Sequence, residues 1–506
     1  MLSESDSSLA GLRRALDSGA LTARALAESY IARIEDLDHK TKAVIELNPQ
    51  ALDDAEALDA ELSHGAVKGP LHGIPVMVKD NLNTAAPMTT TAGSLALEGL
   101  TVKEDATVVD RLRVAGAVIL GKTNLSEWAN FRSARSSSGW SSRGGQTRNP
   151  YALDRTPGGS SSGSGVAVAA GYCAAAIGTE TDGSIVSPAA MNGIVGIKPT
   201  VGLISRRGII PVSHSQDTAG PMARSVADAA LVLGVLAGSD AGDPATAEAD
   251  RRGKRDYTAS LDPGGLRGAR IGCLPGLAAI HAGAAAILDG NLQAIREAGA
   301  EVVEGIELPE AEAVRPLEFR VMITEFKAGL NAYLAEFAAD GAPKDLRALI
   351  AFNEVRREQV MPYFPQDLLE KAEATAGLDD PLYCNARRDC LRLIREEGID
   401  RIMAEQELDA LVVPTTCAPW LIDWVNGDNR SGSSAYLAAV SGYPSITVPA
   451  GYLFGLPIGL SFIARAYEEE ALIRFAFAFE QATKVRIPPL FAETANLQPC
   501  PSPPGD

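Results

Sequence analysis

Three stretches of this 506-residue chain contain the residue types that acyl transfer requires. Ser184 follows the run GTETDG at 178–183, and a serine behind small residues can expose its Oγ while neighbouring backbone N–H groups converge on one point. Ser160 lies in the Gly/Ser-rich run 157–165, and Lys79 ends an apolar stretch. The pattern around Ser184 indicates a serine nucleophile beside an oxyanion hole.

The base that would activate Ser184 is the next question. The chain has only five histidines, and we interpret His72 and His214, which lie in ordered-looking segments, as structural residues. The nucleophile elbow G-x-S-x-G does not fit, because Ile185 and Val186 follow Ser184. A lysine is therefore a better candidate base than a histidine.

Each of the three residues also has an ordinary interpretation. Lys79 can be a lysine whose stem packs while its ammonium reaches water, or a buried amine whose pKa is lowered enough to accept a proton near neutral pH. Ser160 can be a turn residue, although its run lacks the G-K-[ST] ending of a phosphate-binding loop. Ser184 alone can be a loop serine.

Six stretches, in order along the chain, resemble the amidase signature family. They are GPLHGIPVMVKDN at 69–81, GKTNLSEW at 121–128, PGGSSSGSG at 157–165, GTETDGSIVSPAAMNGIVGIKPT at 178–200, SQDTAGP at 215–221 and GYPSITVP at 442–449. The resemblance spans roughly residues 5–235 and 405–485. Several ordered motifs in one chain make it specific.

The resemblance implies a Ser-Ser-Lys centre. Ser184 matches the acyl-forming nucleophile, Ser160 the bridging serine and Lys79 the general base. In the family the bridging serine follows a cis peptide bond, here Gly159–Ser160. The backbone N–H groups that match the oxyanion hole belong to Thr181, Asp182, Gly183 and Ser184. The resemblance also places Asn130, Phe131 and Asp182 at the substrate, and it implies no metal and no organic cofactor.

Two departures from the family pattern bear on the substrate. Asp182 stands where the family usually has glycine, and Val186 stands where it often has arginine. Both resemble the bacterial peptide amidases, which remove the C-terminal amide of peptides. The resemblance therefore predicts an amide hydrolase with a serine acyl-enzyme acting on peptide amides or related small amides.

Three other functions remain open. An aryl-acylamidase or carbamate hydrolase of broad range keeps the chemistry and changes the substrate. The amidase component of a glutamine-dependent tRNA amidotransferase is less expected, since the α-carboxylate of glutamine calls for a cation and the arginine is missing. A non-catalytic binding relative is least expected, because Lys79, Ser160 and Ser184 are all present.

The elements that must position these residues are those of an α/β protein with a mostly covered sheet, because short apolar strands alternate with helices. The resemblance implies a single large domain, with a mixed, twisted sheet sandwiched between helices. We place this domain at residues 1–495, with a mostly helical part at about 240–405 and a Pro-rich tail at 496–506.

Apolar periodicity predicts the individual elements. The predicted helices are two within 7–36 with Thr22 as an N-cap, then 106–115, 164–176 and 281–298, with a largely helical stretch over 310–405. The predicted strands are 73–79, 117–121, 270–274, 410–414 and 445–449. Residues 239–265 are predicted to be a surface excursion, and 133–165 a structured loop region facing the substrate.

Composition restricts the partners and the location. The net charge of −18 argues against nucleic acid or an anionic membrane surface as the main partner. No signal peptide and no run of 18 apolar residues is visible, which predicts a cytoplasmic protein unless a leader was removed. The expected partner is a small-molecule or peptide amide, and the expected state is a monomer or homodimer. The six cysteines show no zinc spacing.

Overall fold

The sheet that carries Lys79 has eleven strands. A computed structural model describes residues 7–274, 281–308, 311–429 and 432–497. Within them the strand order is β1-β3-β2-β6-β8-β7-β12-β13-β11-β9-β10, and helices flank this sheet in a single α/β domain. The strands are β1 (Val44–Leu47), β2 (Pro75–Lys79), β3 (Val118–Thr123), β6 (Ala175–Glu180), β7 (Val195–Lys198), β8 (Thr218–Ala223), β9 (Arg270–Cys273), β10 (Glu301–Val303), β11 (Ala410–Pro414), β12 (Ser445–Leu453) and β13 (Leu456–Ile463). A separate hairpin pairs β4 (Trp140–Ser141) with β5 (Gly145–Gln146).

The sheet is mixed, as expected. Strand β2 runs parallel to β3 and to β6, whereas β8 is antiparallel to β6 and to β7. All five residues of β2 are buried, as are all six of β6. A strand that is covered on both faces consists of consecutive apolar residues, and residues 73–79 therefore predict a strand clearly.

Seventeen α-helices lie within the described residues. Those before residue 240 are α1 (Leu9–Asp17), α2 (Ala23–Thr41), α3 (Ala51–Ser63), α4 (Thr107–Val114), α5 (Ser162–Ala170), α6 (Val186–Met191) and α7 (Val226–Leu236). The later ones are α8 (Ala249–Arg252), α9 (Ala282–Glu297), α10 (Ala311–Phe337), α11 (Leu346–Val355), α12 (Arg357–Val360), α13 (Asp367–Glu373), α14 (Pro381–Leu391), α15 (Arg401–Glu405), α16 (Ala435–Ser441) and α17 (Glu469–Thr483). None of the described helices combines the length and the apolar character needed to cross a bilayer.

Most predicted elements are confirmed. Thr22 caps α2, since its Oγ1 accepts a hydrogen bond from the Ala25 N–H at 3.1 Å. The strand predictions agree with β2, β3, β9, β11 and β12 to within a few residues, and the stretch 311–405 is largely helical. Residues 239–265 form one short helix, α8, and 3-10 turns.

The helix prediction for 164–176 was wrong at its C-terminal end. Helix α5 ends at Ala170, because Gly171 adopts the left-handed conformation with φ 72° and closes the helix. The next residues lead into β6, which begins at Ala175. The apolar run at 173–177 suits either a buried helix or a buried strand, so periodicity alone could not separate them.

The described cysteines are unpaired, and the C-terminal end is described up to residue 497. The five described cysteines are free thiols; Cys384 is exposed and Cys390 is buried. The predicted tail lies outside the described residues from 498 onward, so the boundary at residue 495 stays a prediction.

Close packing where α5 begins yields a stability prediction. The Gly163 N–H donates to the backbone carbonyl oxygen of Asn124 at 2.8 Å. A methyl group at Gly163 would overlap this oxygen and the carbonyl oxygen of Ala43. Gly163→Ala should therefore lower the melting temperature by about one to three degrees. Gly290→Ala in α9 is the matched control; nothing lies within 4 Å of the added methyl, so it should stabilise by about 0.5–1 kcal/mol. Equal melting temperatures for the two variants would contradict this account.

Candidate active site

Lys79 is fully buried at the end of β2. Its side chain is 0% exposed, which excludes the interpretation as a lysine that reaches water. Its Nζ lies 2.8 Å from the Ser160 Oγ, 2.8 Å from the Thr179 Oγ1 and 3.2 Å from the Thr179 carbonyl oxygen. The structure thus brings together two of the three predicted catalytic residues by a direct hydrogen bond.

Burial changes the acidity of this lysine. Loss of hydration disfavours the ammonium and lowers the pKa of Lys79 from 10.5 to about 7, while the charges of Asp217 and Glu180 act in the opposite direction. The three oxygens that contact Nζ belong to neutral groups. Lys79 can therefore exchange a proton near neutral pH.

Ser160 and Ser184 are held on one short network. The peptide bond Gly159–Ser160 is cis, as the resemblance implied. The Ser161 N–H donates to the Ser184 carbonyl oxygen at 3.1 Å, and the Ser161 Oγ donates to the Thr179 carbonyl oxygen at 3.0 Å. Ser161 therefore connects the segment of Ser184 to the residue that also holds Lys79.

Residues 181–186 connect β6 to α6 and include the first residue of that helix; we call this segment the nucleophile turn. Gly183 has φ 81°, a conformation that glycine tolerates without strain. The Glu180 Oε2 accepts hydrogen bonds from the Ile185 N–H at 2.6 Å and the Val186 N–H at 3.0 Å. The predicted oxyanion residues Thr181, Asp182, Gly183 and Ser184 all lie in this turn, and their role as oxyanion donors stays a prediction.

A cleft of about 400 Å³ opens at the nucleophile turn. Asn130, Phe131 and Asp182, the predicted substrate residues, all line it beside Ser184. The helical region and the segment after β11 also line the cleft and form what we call its second wall: Arg315, Glu318, Phe319, Met322, Leu368, Trp420 and Tyr436. Apolar and aromatic side chains with a few polar groups are typical of a site for a small organic ligand.

Sequence reasoning missed this second wall. Residues 310–405 carry no motif, and their helical periodicity indicates which face is apolar but not which part of the sheet that face covers. It also missed Glu180, which lies within the family-like stretch 178–200 and bonds the nucleophile turn. A carboxylate at the end of an apolar strand, directly before that turn, was the available signal for Glu180.

A carboxyl pair lies inside the cleft. Glu318 is 3% exposed and accepts a hydrogen bond from the Gln216 Nε2 at 2.9 Å. Burial and the charge of Asp182 both raise the pKa of Glu318 well above 4.5. Asp182 thus influences the cleft electrostatically.

The two histidines considered as bases have structural partners. His72 is buried; its Nε2 lies 2.9 Å from the Leu58 carbonyl oxygen, and its Nδ1 accepts from the Lys68 N–H at 3.1 Å. The Nδ1 of His214 lies 3.4 Å from the Glu325 Oε2. These contacts agree with the interpretation of both residues as structural.

The fold matches that of known amidases. The model of the Amidase family matches residues 25–473. The crystal structure of native peptide amidase from Stenotrophomonas maltophilia is 54% identical, with 96% of this chain and 98% of that chain covered and a TM-score of 0.91. A peptide amidase bound to the competitive inhibitor chymostatin is also 54% identical, with 96% and 99% covered and a TM-score of 0.92.

Two curated relatives match this chain over most of their length. A probable amidase of Arabidopsis thaliana is 40% identical over 96% of this chain and 92% of its own length. A glutamyl-tRNA(Gln) amidotransferase component from Roseiflexus castenholzii is 37% identical, over 94% and 95% respectively. The chain belongs to the amidase signature family, and it is an amide hydrolase similar in structure to peptide amidase.

The burial of Lys79 predicts a pH-dependent stability. Because the pKa is about 7 in the folded chain and 10.5 in an ordinary lysine, the unfolded chain binds more protons between these values, and stability contributed by this group rises with pH across that window. Lys79→Met should therefore raise the melting temperature more at about pH 6 than at about pH 9. The exposed Lys103→Met is the control and should show no such difference. An identical effect of Lys79→Met at both pH values would contradict a lowered pKa.

Proposed function

We propose that this amidase removes the C-terminal amide of peptides through an acyl-enzyme on Ser184, with Ser160 as the bridging residue and Lys79 as the general base. The observation that carries the proposal is the hydrogen bond of 2.8 Å between the Lys79 Nζ and the Ser160 Oγ, deep in the protein and beside the turn of Ser184. A buried amine with a pKa of about 7 suits a proton acceptor at neutral pH.

Acylation proceeds by two linked proton transfers. As the Ser184 Oγ attacks the carboxamide carbon, its proton passes to the Ser160 Oγ, and the Ser160 proton passes to neutral Lys79. The tetrahedral intermediate collapses by cleavage of the C–N bond. Lys79 then returns its proton through Ser160 to the leaving nitrogen, so ammonia departs and Ser184 carries the acyl group.

Deacylation repeats the path with water. A water molecule attacks the acyl carbon and gives a proton through Ser160 to Lys79. When the bond between the Ser184 Oγ and the acyl carbon breaks, the proton returns to Ser184, and the carboxylic acid is released. In both halves the backbone N–H groups of 181–184 are the donors that stabilise the oxyanion.

The substrate class follows from the cleft and from the relatives. The cleft has room for a small peptide, and two structures at 54% identity are those of peptide amidases, one of them bound to chymostatin. Asn130, Phe131 and Asp182 are the proposed substrate contacts on the side of Ser184. Asp182, Glu318 and Arg315 line the same cleft, so two carboxyl groups and one cation are available there to orient a polar substrate.

A substrate panel tests the proposal directly. Dipeptide amides should be hydrolysed with a higher kcat/KM than anilides, carbamates or glutamine, and a serine-reactive fluorophosphonate should label Ser184. Ser184→Ala should lose several orders of magnitude in kcat, since no other group supplies the Oγ, and Ser160→Ala should lose less. Labelling at another residue, with activity retained in Ser184→Ala, would refute the assignment. A preference for anilides or carbamates would favour the broad-range alternative.

The base assignment predicts an acid limb in the rate. Only neutral Lys79 accepts a proton, so kcat/KM should fall about tenfold per pH unit below about 7. Lys79→Ala should lose most of the rate together with this limb. Lys79→Arg should not restore activity, because a guanidinium does not release its proton at these pH values. A Lys79→Arg enzyme of near-normal activity would show that Lys79 acts only as a positive charge.

A further inference from the structure

The nucleophile turn, residues 181–186, is bonded at each end to a different buried carboxylate. At its beginning the Thr181 Oγ1 donates to the Asp217 Oδ1 at 2.5 Å. At its end the Ile185 and Val186 N–H groups both donate to the Glu180 Oε2, at 2.6 and 3.0 Å. The turn that carries Ser184 is therefore anchored on both sides.

Both anchors are themselves fixed. Glu180 is 1% exposed and Asp217 is 9% exposed. The Asp217 Oδ2 accepts hydrogen bonds from the Val212 and Ser213 N–H groups, each at 2.9 Å. Glu180 is the last residue of β6, and Asp217 directly precedes β8, which pairs with β6 in the register Glu180↔Thr218. The sheet thus sets the distance between the two carboxylates.

The same two carboxylates are the charges that act on Lys79. Burial lowers the pKa of Lys79, and the charges of Asp217 and Glu180 oppose that effect. Lys198 faces Glu180 and Arg206 faces Asp217, so each anchor also has a cation nearby. Burial raises the pKa of both carboxyls, for Asp217 to about 6. Above that pH Asp217 is ionised, and its charge, like that of Glu180, favours the ammonium form of Lys79.

We propose that Glu180 and Asp217 are positioning residues, which fix the two ends of the nucleophile turn and hold negative charge beside Lys79. The inference rests on the proposed roles of Ser184, Ser160 and Lys79. A preorganised turn keeps the Ser184 Oγ and the oxyanion N–H groups in place during the reaction, and misplacement by about 1 Å costs about a hundredfold in rate.

Removing one carboxylate charge at a time tests the proposal that these residues hold negative charge beside Lys79. Glu180→Gln and Asp217→Asn should each lower kcat about ten- to hundredfold with little change in KM. Each should also move the acid limb of kcat/KM to lower pH, because a lost negative charge lowers the pKa of Lys79. A residue that only supports the fold would lower the rate and leave the limb where it is.

Variants that keep both carboxylate charges test the proposal that Glu180 and Asp217 fix the ends of the nucleophile turn. Glu180→Asp retains the carboxylate but shortens its reach to the Ile185 and Val186 N–H groups, and Thr181→Val removes the hydroxyl that Asp217 holds. Both should lower kcat while the acid limb stays at its wild-type position. If Glu180→Gln does not fold, Asp217→Asn and Thr181→Val decide the question.

Glu469→Gln is the matched control. Glu469 is also a buried carboxylate that faces Lys198, but its Oε1 accepts from the Thr200 N–H at 2.7 Å and not from the nucleophile turn. Rate and acid limb should remain those of the wild type. The proposal is overturned if Glu180→Gln and Asp217→Asn behave like Glu469→Gln, or if their acid limb stays in place. Lys79→Ala is measured in parallel, and an active Lys79→Ala enzyme would instead refute the proposed function.

Discussion

The hydrogen bond between buried Lys79 and Ser160 is the contact on which the rest of the site depends. An amine without access to water is costly to charge, and here its direct partners are the neutral oxygens of Ser160 and Thr179. This cost is what makes the lysine a proton acceptor near neutral pH. The fold must therefore exclude water from Lys79 and still admit a substrate within reach of Ser184.

The topology of the sheet brings Lys79, Glu180 and Asp217 to the same edge of the sheet. Strands β2 and β6 are parallel, so Lys79 and Glu180, their last residues, end at the same edge. Strand β8 is antiparallel to β6, so its first residue, Thr218, and the preceding Asp217 return to that edge. Three adjacent strands, β2, β6 and β8, thus supply Lys79, the nucleophile turn and both carboxylates. Neighbouring helices and loops exclude water, while the cleft stays open in front of Ser184.

The region between the two family-like halves of the chain has a separate role. Helix α10 and the segments after it lay an apolar and aromatic wall against the cleft, with Glu318 as its buried carboxyl. The nucleophile turn carries Ser184, whereas the side chains of this wall contact whatever molecule occupies the cleft. Substrate preference can therefore change through the lining residues of α10 and α13 without any change in Lys79, Ser160 or Ser184.

The sequence by itself determined the family and the strands and helices with strong periodicity, and it predicted catalytic roles for Lys79, Ser160 and Ser184, because these signals are local in the chain. It placed the end of α5 too late, at residue 176, since an apolar run suits a buried strand as well as a helix. Only the tertiary structure decided that Lys79 is wholly buried, that Asp217 holds Thr181 across 36 positions and that side chains of α10 and α13 line the cleft. Burial and charge at a site are sums over neighbours distant in sequence, and those neighbours are fixed only when the sheet and helices pack.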